Sequence, residues 1–386
     1  MLFRSIVTLA MGIRHGLGLF LQPMSADFGW NREVFSFAIA LQNLLWGAAQ
    51  PLAGGLADRF GAPRVIMTGA LMYAAGLALM TVSAVPLAFS LSAGVLIGLS
   101  LSGVTYSVIY GVVGRTFPAE KRSQAMGYIA AAGSFGQFMM VPVEQWLIGS
   151  TGWNHALLAL AVIALIMLPT ALGLREAPHA RSSGGQTIRL ALAEAFRNGS
   201  FWLLTAGYFV CGFQVVFIAV HLPSYLKDAG HGPNVAVTAL ALIGLFNIAG
   251  TWAAGSLGAR LPKKYLLTFI YSARSVVIAL FLLAPLSPLS VYIFASAMGL
   301  LWLSTIPLTN GIVGVVFGVR YLAMLGGFVF FSHQIGSFFG VWLGGRIYDA
   351  TGNYNVVWMI AIALGIFAAL INLPIREKPL ARLAAA

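Results

Sequence analysis

The chain has 386 residues, 59% of them hydrophobic and only 8% charged, with a formal net charge of +12. Soluble globular proteins carry about 25% charged residues, so this much apolar side chain has to face lipid or other membrane helices rather than water. The single cysteine, Cys211, excludes a disulfide framework and a thiolate metal cluster, and the basic residues form no block with interleaved aromatics of the kind that nucleic acid requires.

A helix that crosses a bilayer needs about 20 mostly apolar residues. Twelve such segments, spans one to twelve, can be placed at about 3–23, 34–57, 63–83, 87–114, 124–148, 153–174, 200–222, 235–257, 264–284, 289–317, 321–344 and 354–374. The expected fold is therefore an all-α membrane protein of twelve transmembrane helices, with almost nothing left over for a soluble domain. The chain begins almost inside span one, so no removable signal peptide is expected.

With the N-terminus inside, the cytoplasmic turns and both tails hold 17 of the 22 basic residues. The opposite orientation leaves only Arg32, Lys227 and Arg346 there, so the positive-inside rule places both termini in the cytoplasm. The longest connection, 175–199, contains Ser182-Ser183-Gly184-Gly185 and then the amphipathic run Thr187 to Phe196. It reads as a flexible linker carrying a helix on the cytoplasmic face, dividing the chain into halves at 1–174 and 200–386.

Those halves repeat at an offset of 200 or 201 residues. Pro23 falls on Pro223, Asp27 with Gly29 on Asp228 with Gly230, and Gly54, Arg59 and Arg64 on Gly255, Arg260 and Lys264. Gly136 falls on Gly336, and Thr151-Gly152 on Thr351-Gly352. Two six-helix halves in parallel orientation are an architecture of secondary transporters, whose site lies between the halves near the bilayer midplane.

After span two comes Gly54-Gly55-Leu56-Ala57-Asp58-Arg59-Phe60-Gly61-Ala62-Pro63-Arg64. This run resembles the signature that the major facilitator superfamily carries at the same place. Gly54 and Gly61 permit close helix approach and a tight turn, while Asp58, Arg59 and Arg64 supply charges able to pair in one of two conformations. The second copy has Ala259 where Asp58 stands, which confines an acid-based latch to the first half.

Over nearly its whole length the chain resembles the monocarboxylate porter and oxalate/formate antiporter branch, most visibly in Asp27-Phe28-Gly29-Trp30-Asn31-Arg32 and His221-Leu222-Pro223. It departs from that branch late in span eight, where an Asp and an Arg four residues apart are replaced by Asn247 and Thr251. Span five lacks the Gly-Pro pair of the drug antiporters, carrying Met139-Met140-Val141-Pro142 after Gly133 and Gly136.

Even on lenient scales, a charge at the bilayer centre costs about 2.5–3.5 kcal/mol. Arg14 lies ten residues beyond Arg4 and Arg274 ten beyond Lys264, each about 15 Å deep by the helical rise. Glu144 is the one acid within a span, placed towards the outer end of span five. Two midplane arginines without a midplane carboxylate point to an anionic substrate, because a guanidinium fork fits a carboxylate and keeps its charge.

The expected substrate-binding set is Arg14, Arg274 and His333, with Gln214 (the repeat mate of Arg14), Tyr106, Tyr110 and Asn310. Proton coupling, if present, falls to His333 or Glu144. Arg274 can alternatively bond Asn247, and the stripe Gly336, Gly340, Gly344 reads as close packing or a sliding seam. There is no zinc-protease, Walker or nucleophile-elbow motif, so neither an enzyme nor an ATP-driven pump is expected, and no cofactor or metal.

The function expected is secondary transport of a small organic anion by alternating access in a bacterial inner membrane. The carrier is expected to be a monomer, with protons as a candidate second cargo and without nucleic acid as partner. Efflux of drugs or other amphipathic compounds is the alternative, and a non-transporting sensor on the same fold is a third.

Overall fold

A computed structural model of the chain describes residues 2–106, 108–110, 112, 119–173, 187–318 and 321–380. Nine helical stretches among them are long and apolar enough to cross a membrane. One of these, Met126–Leu172, is two spans meeting at Gly152, whose φ of 80° breaks the helix. The two spans outside that set are span one, interrupted by a 3-10 turn, and span two, whose interior carries the polar Gln42, Asn43 and Gln50.

The twelve spans follow in order. Span one comprises Leu2–Gly16, a 3-10 turn Leu17–Phe20, and Leu21–Phe28. Spans two and three are Arg32–Phe60 and Ala62–Met80, joined at Gly61, whose φ of 90° makes the tight turn. Span four starts at Pro86 and loses its helical backbone at Thr105. Spans five and six form the long helix Ala119–Leu165 and continue in Met167–Leu172. A short helix, Ile188–Phe196, is capped by Thr187, whose hydroxyl accepts from the Leu190 amide. Spans seven to nine are Gly199–Asp228, Pro233–Gly258 and Lys263–Leu283. Span ten comprises Pro288–Leu301 and Thr305–Phe317, and spans eleven and twelve are Leu322–Thr351 and Asn355–Asn372.

The repeat is written into the backbone. Gly29 and Gly230 both take positive φ, as do Gly152 and Gly352, so each matched pair marks a turn at the same place in its half, although ψ is 161° at Gly152 and 5° at Gly352. The Thr151 and Thr351 hydroxyls each donate to the carbonyl four residues back. Spans four and ten are both interrupted near their middles, at Thr105 and at Trp302–Ser304.

Within the second half, span eleven lies directly on span seven. A Cβ added to Gly336 or Gly340 would meet the Phe209 or Phe213 carbonyl oxygen at 1.9 and 2.4 Å. Between halves, span two runs along span eleven, and span five along span eight. Gly47 packs on Gln334, Gly244 on Gln137 and Phe138, and Gly18 on the Ala219 and Val220 carbonyls.

These contacts run from the end opposite the chain termini as far as the middle of the bundle, where Asn247 Nδ2 donates to Ser134 Oγ. A Cβ on Gly54 or Gly55 would meet nothing within 4 Å. The close helix approach expected at Gly54 is therefore not made among the described residues.

The candidate site between the halves

Span one places Arg14 two residues before its helix gives way at Gly16. Its side chain is half-buried. One guanidinium nitrogen donates to Asn43 Oδ1 of span two, the guanidinium carbon sits 4.8 Å from the centre of the Trp46 ring, and Nε has no partner among the described residues. Asn43 and Trp46 share a face of span two at three-residue spacing. Asn43 is held in turn by its own donation to the Ile39 carbonyl, and Trp46 by donation from its indole nitrogen to Thr105 Oγ1 at 3.0 Å.

Trp46 carries the site across to the other half. Its ring meets Phe330 of span eleven edge-on at 5.3 Å. Phe330 stacks on His333 at 5.7 Å, and His333 lies 4.9 Å from Tyr208 of span seven. His333 is buried, and its Nδ1 pairs with Gln334 Oε1 at 3.0 Å. Tyr106 and Tyr110, half-buried on span four, stack at 5.4 Å beside span five, where Gly133 leaves room for the Tyr106 hydroxyl. Arg14, Tyr106, Tyr110 and His333 thus belong to one central zone. Sequence reasoning missed Asn43, Trp46 and Phe330, although an Asn and a Trp one turn apart in an apolar span were a readable signal.

Arg274 and Gln214 are placed differently from expectation. Arg274 is fully buried. Its guanidinium donates to the Leu301 carbonyl at 2.6 Å, to the Trp302 carbonyl at 2.5 Å and to Gln214 Oε1 at 3.4 Å. Those carbonyls are the ones freed where span ten breaks, so Arg274 acts as a C-terminal cap for its first segment. Gln214 is fully buried too and donates to the Ala361 carbonyl of span twelve. Neither side chain reaches the space between the halves in this conformation.

Asn247 holds the other side of the same break. Its Oδ1 accepts from the Leu303 amide at 3.0 Å and from the Thr251 hydroxyl at 3.1 Å. The bond expected between Arg274 and Asn247 is therefore replaced by a shared task, one residue on the freed carbonyls and one on the freed amide. Replacing Arg274 by Met would orphan these acceptors at about 1–3 kcal/mol each. It is expected to lower the thermal midpoint of the purified protein clearly, more than a direct loss of substrate contact would.

Asn310 is exposed on span ten, beside Gly326 of span eleven. Glu144 is fully buried, and its carboxyl fills the notch left by Gly16, where an added Cβ would sit 1.4 Å from Oε2. Of the expected gating residues, Arg59 is exposed with its guanidinium near its own neighbour Phe60, and Arg64 donates to the Phe60 carbonyl at 3.2 Å. The Asp58 side chain lies outside the described residues. A separate groove of 480 Å³ between spans five and eight, lined by Trp146, Gln145 and Asn234 among others, holds none of the expected site residues.

The end opposite the termini is closed by a polar cluster that joins the halves. Arg32 pairs with Asp228 at 2.6 Å, donates to the Tyr354 hydroxyl at 2.7 Å and lies 3.7 Å over the Tyr348 ring. The Asp349 carboxylate accepts from the Arg32 and Glu33 amides, so an acid of the second half caps the helix that begins span two in the first. Glu33 takes up Arg346 and the Trp342 indole, both at 3.0 Å. Burial pushes the Tyr354 hydroxyl above the ordinary phenol range although Arg32 opposes this. It stays a donor to His221 Nδ1, whose Nε2 donates to the Val341 carbonyl.

Removing one side of this cluster is expected to release that end. Arg32→Ala should shift the population towards the state open opposite the termini by about 5–150-fold, the range of about 1–3 kcal/mol typical of coupling free energies. Spin labels at the exposed positions Val82 and Asn353, one in each half, would read this as a longer distance distribution. An unchanged distribution would show that the cluster does not hold the halves together.

Twelve spans in two matched halves are the architecture of a membrane transporter. The family profile described as Major Facilitator Superfamily matches residues 5–340, so the chain belongs to that superfamily. Its relatives include an uncharacterized transporter of the same type from Bacillus subtilis (strain 168), YcxA, which is 26% identical over 99% of this chain and 96% of its own length. Monocarboxylate transporter 13 of Bos taurus is 26% identical over 92% of this chain and 83% of its own. The crystal structure of a D-xylose-proton symporter superposes with a TM-score of 0.74 at 16% identity, covering 98% of both chains. At that identity the likeness is one of fold.

Proposed function

We propose that this protein is a secondary carrier for a small monocarboxylate-like organic anion, and that the halves rock about a site centred on Arg14. The observation that carries the reading is Arg14 itself, a permanent cation on a broken span between the halves. Asn43 accepts one of its donors, Trp46 covers its plane, and no acid forms an ion pair with it among the described residues. A charge in that position is costly until an anion arrives, and a guanidinium presents two parallel donors to a carboxylate.

Tyr106, Tyr110 and His333 line the same zone and offer hydroxyl and imidazole groups to the rest of the substrate. Arg274 and Gln214 support the site by stiffening the break in span ten. The resemblance to monocarboxylate transporters supports the substrate class, while Asn247 and Thr251 in span eight leave the recognition to the first half. The placement of 17 of 22 basic residues and the bacterial relative support an inner membrane with both termini cytoplasmic. The conformation described is then open inwards, and the carrier works as a monomer.

The test is uptake of labelled lactate, pyruvate, formate and oxalate into proteoliposomes, with an amphipathic dye as comparison. Saturable uptake of one of the acids, with the dye excluded, is the expected result. Transport of the dye and of none of the acids would overturn the reading in favour of amphipathic efflux.

A further inference from the structure

We propose that Glu144 is the proton-binding site of this carrier, occupied by one proton in the conformation described here and exchanged as the halves rock. The proposal rests on the reading above for its cargo, but not for its proton.

Three observations carry it. Glu144 is completely buried, and neither carboxyl oxygen has a hydrogen-bond partner among the described residues. An ionised carboxylate stripped of water and of partners is among the costliest groups a protein can hold, so the group takes a proton instead. Second, its carboxyl fills the notch at Gly16, where the first helix of span one ends and the 3-10 turn begins. Third, the turn that follows packs on span seven, with Gly18 against the Ala219 and Val220 carbonyls. When the halves part at that end, span seven withdraws from the turn beside Glu144 and water gains access to it.

The surroundings favour a proton over a metal ion. A hard cation needs about six oxygens, and no group of His, Cys, Asp or Glu among the described residues could hold one. The titratable groups around Glu144 are few. Span one brings Arg14 and His15, and span three brings Tyr73, whose hydroxyl donates to the Ala10 carbonyl. Spans eight and six bring none from the segments packed on span five. His15 is turned away, towards the Leu240 carbonyl and the edge of Trp302. His333 is the weaker candidate, because its Nδ1 already has a partner in Gln334 and its ring lies against Phe330 and Tyr208.

Coupling rests on the one stretch of span one that the two groups share: Arg14 is carried on its last turn, and the Glu144 carboxyl fills the Gly16 notch that ends it. A charged Glu144 would compete with the anion for Arg14. A neutral Glu144 leaves the full positive charge of Arg14 to the substrate. A hydronium ion from the opened side gives its proton to Glu144 Oε and leaves as water, and the carboxylate becomes a neutral carboxyl. The anion then binds Arg14 and the halves rock. Once the anion has left, the uncompensated Arg14 favours the carboxylate, and the proton passes to inner water when spans one and five loosen at the Gly16 notch, which is still sealed around the protonated Glu144 in the conformation described. One proton accompanies one monoanion, and the cycle moves no net charge.

The test has a spectroscopic arm and a transport arm. Infrared spectra of the full-length protein in lipid at neutral pH are expected to show the C=O stretch of a protonated carboxyl, lost in Glu144→Gln, an isosteric change that mimics the neutral form. In proteoliposomes, an inward proton gradient is expected to stimulate uptake of the acid found above by wild type, and this stimulation to vanish in Glu144→Gln. Absence of the band from wild type, its survival in the variant, or undiminished gradient stimulation would each overturn the proposal. If none of the acids is carried, the carboxylate reading falls, and the infrared arm still decides this one.

Discussion

Arg14→Gln is expected to cut carrier activity by about 100-fold or more without unfolding the protein. Hydrogen bonds to charged groups are worth about 1.5–3 kcal/mol each, a bidentate pair makes two of them, and every 1.4 kcal/mol is about tenfold. Gln keeps a polar end near Asn43, so the structural bond to span two has a replacement. What disappears is the fixed charge and the fork. Arg14→Lys restores the charge but neither the fork nor the flat contact with Trp46, so it should recover only part of the rate. Initial uptake rates paired with thermal melting curves separate the two effects. Near-normal uptake by Arg14→Gln would remove the arginine from the site.

The second large effect is on folding. Gly136→Val and Gly336→Val stand at matched positions of the two halves. Their added Cβ atoms would lie 2.0 Å from the Thr8 carbonyl oxygen and 1.9 Å from that of Phe209. Both obstacles are backbone, which cannot swing away as a side chain can. Ordinary overpacking costs about 1–3 kcal/mol, and these sites should exceed it because spans one and five, or seven and eleven, would have to separate. Each variant is expected to yield little monodisperse protein on size exclusion. Gly54→Ala, whose Cβ meets nothing within 4 Å, should express like wild type.

The fold was legible because membrane solvent leaves strong traces in sequence. Apolar runs, basic turns and the 200-residue offset located twelve spans and two halves, and the matched glycines Gly29, Gly230, Gly152 and Gly352 all take positive φ between spans. The site was only partly legible. Depth along a helix can be counted, and it put Arg14 and Arg274 at the same level. Which way each side chain turns depends on where neighbouring helices break, and nothing in the sequence announces that Trp302–Ser304 frees two carbonyls for Arg274.

Repeat logic had the same weakness. Gln214 is the mate of Arg14 by position, yet it serves Arg274 and span twelve because the second half has an arginine to satisfy there. The cluster around Arg32 escaped notice for a different reason. Its members Asp228, Asp349, Arg346 and Tyr354 lie about 200 residues or more from their partners in the first half, and only the packing of the halves brings them together.

The most direct test of a carboxylate held by Arg14 is to compare the transported acid with its own amide. The two have nearly the same shape and differ in charge. Competition against labelled acid in wild-type proteoliposomes should show strong inhibition by the unlabelled acid and about 100-fold weaker inhibition by the amide. Equal inhibition by acid and amide would contradict the account, because a site built on a guanidinium must tell the two apart.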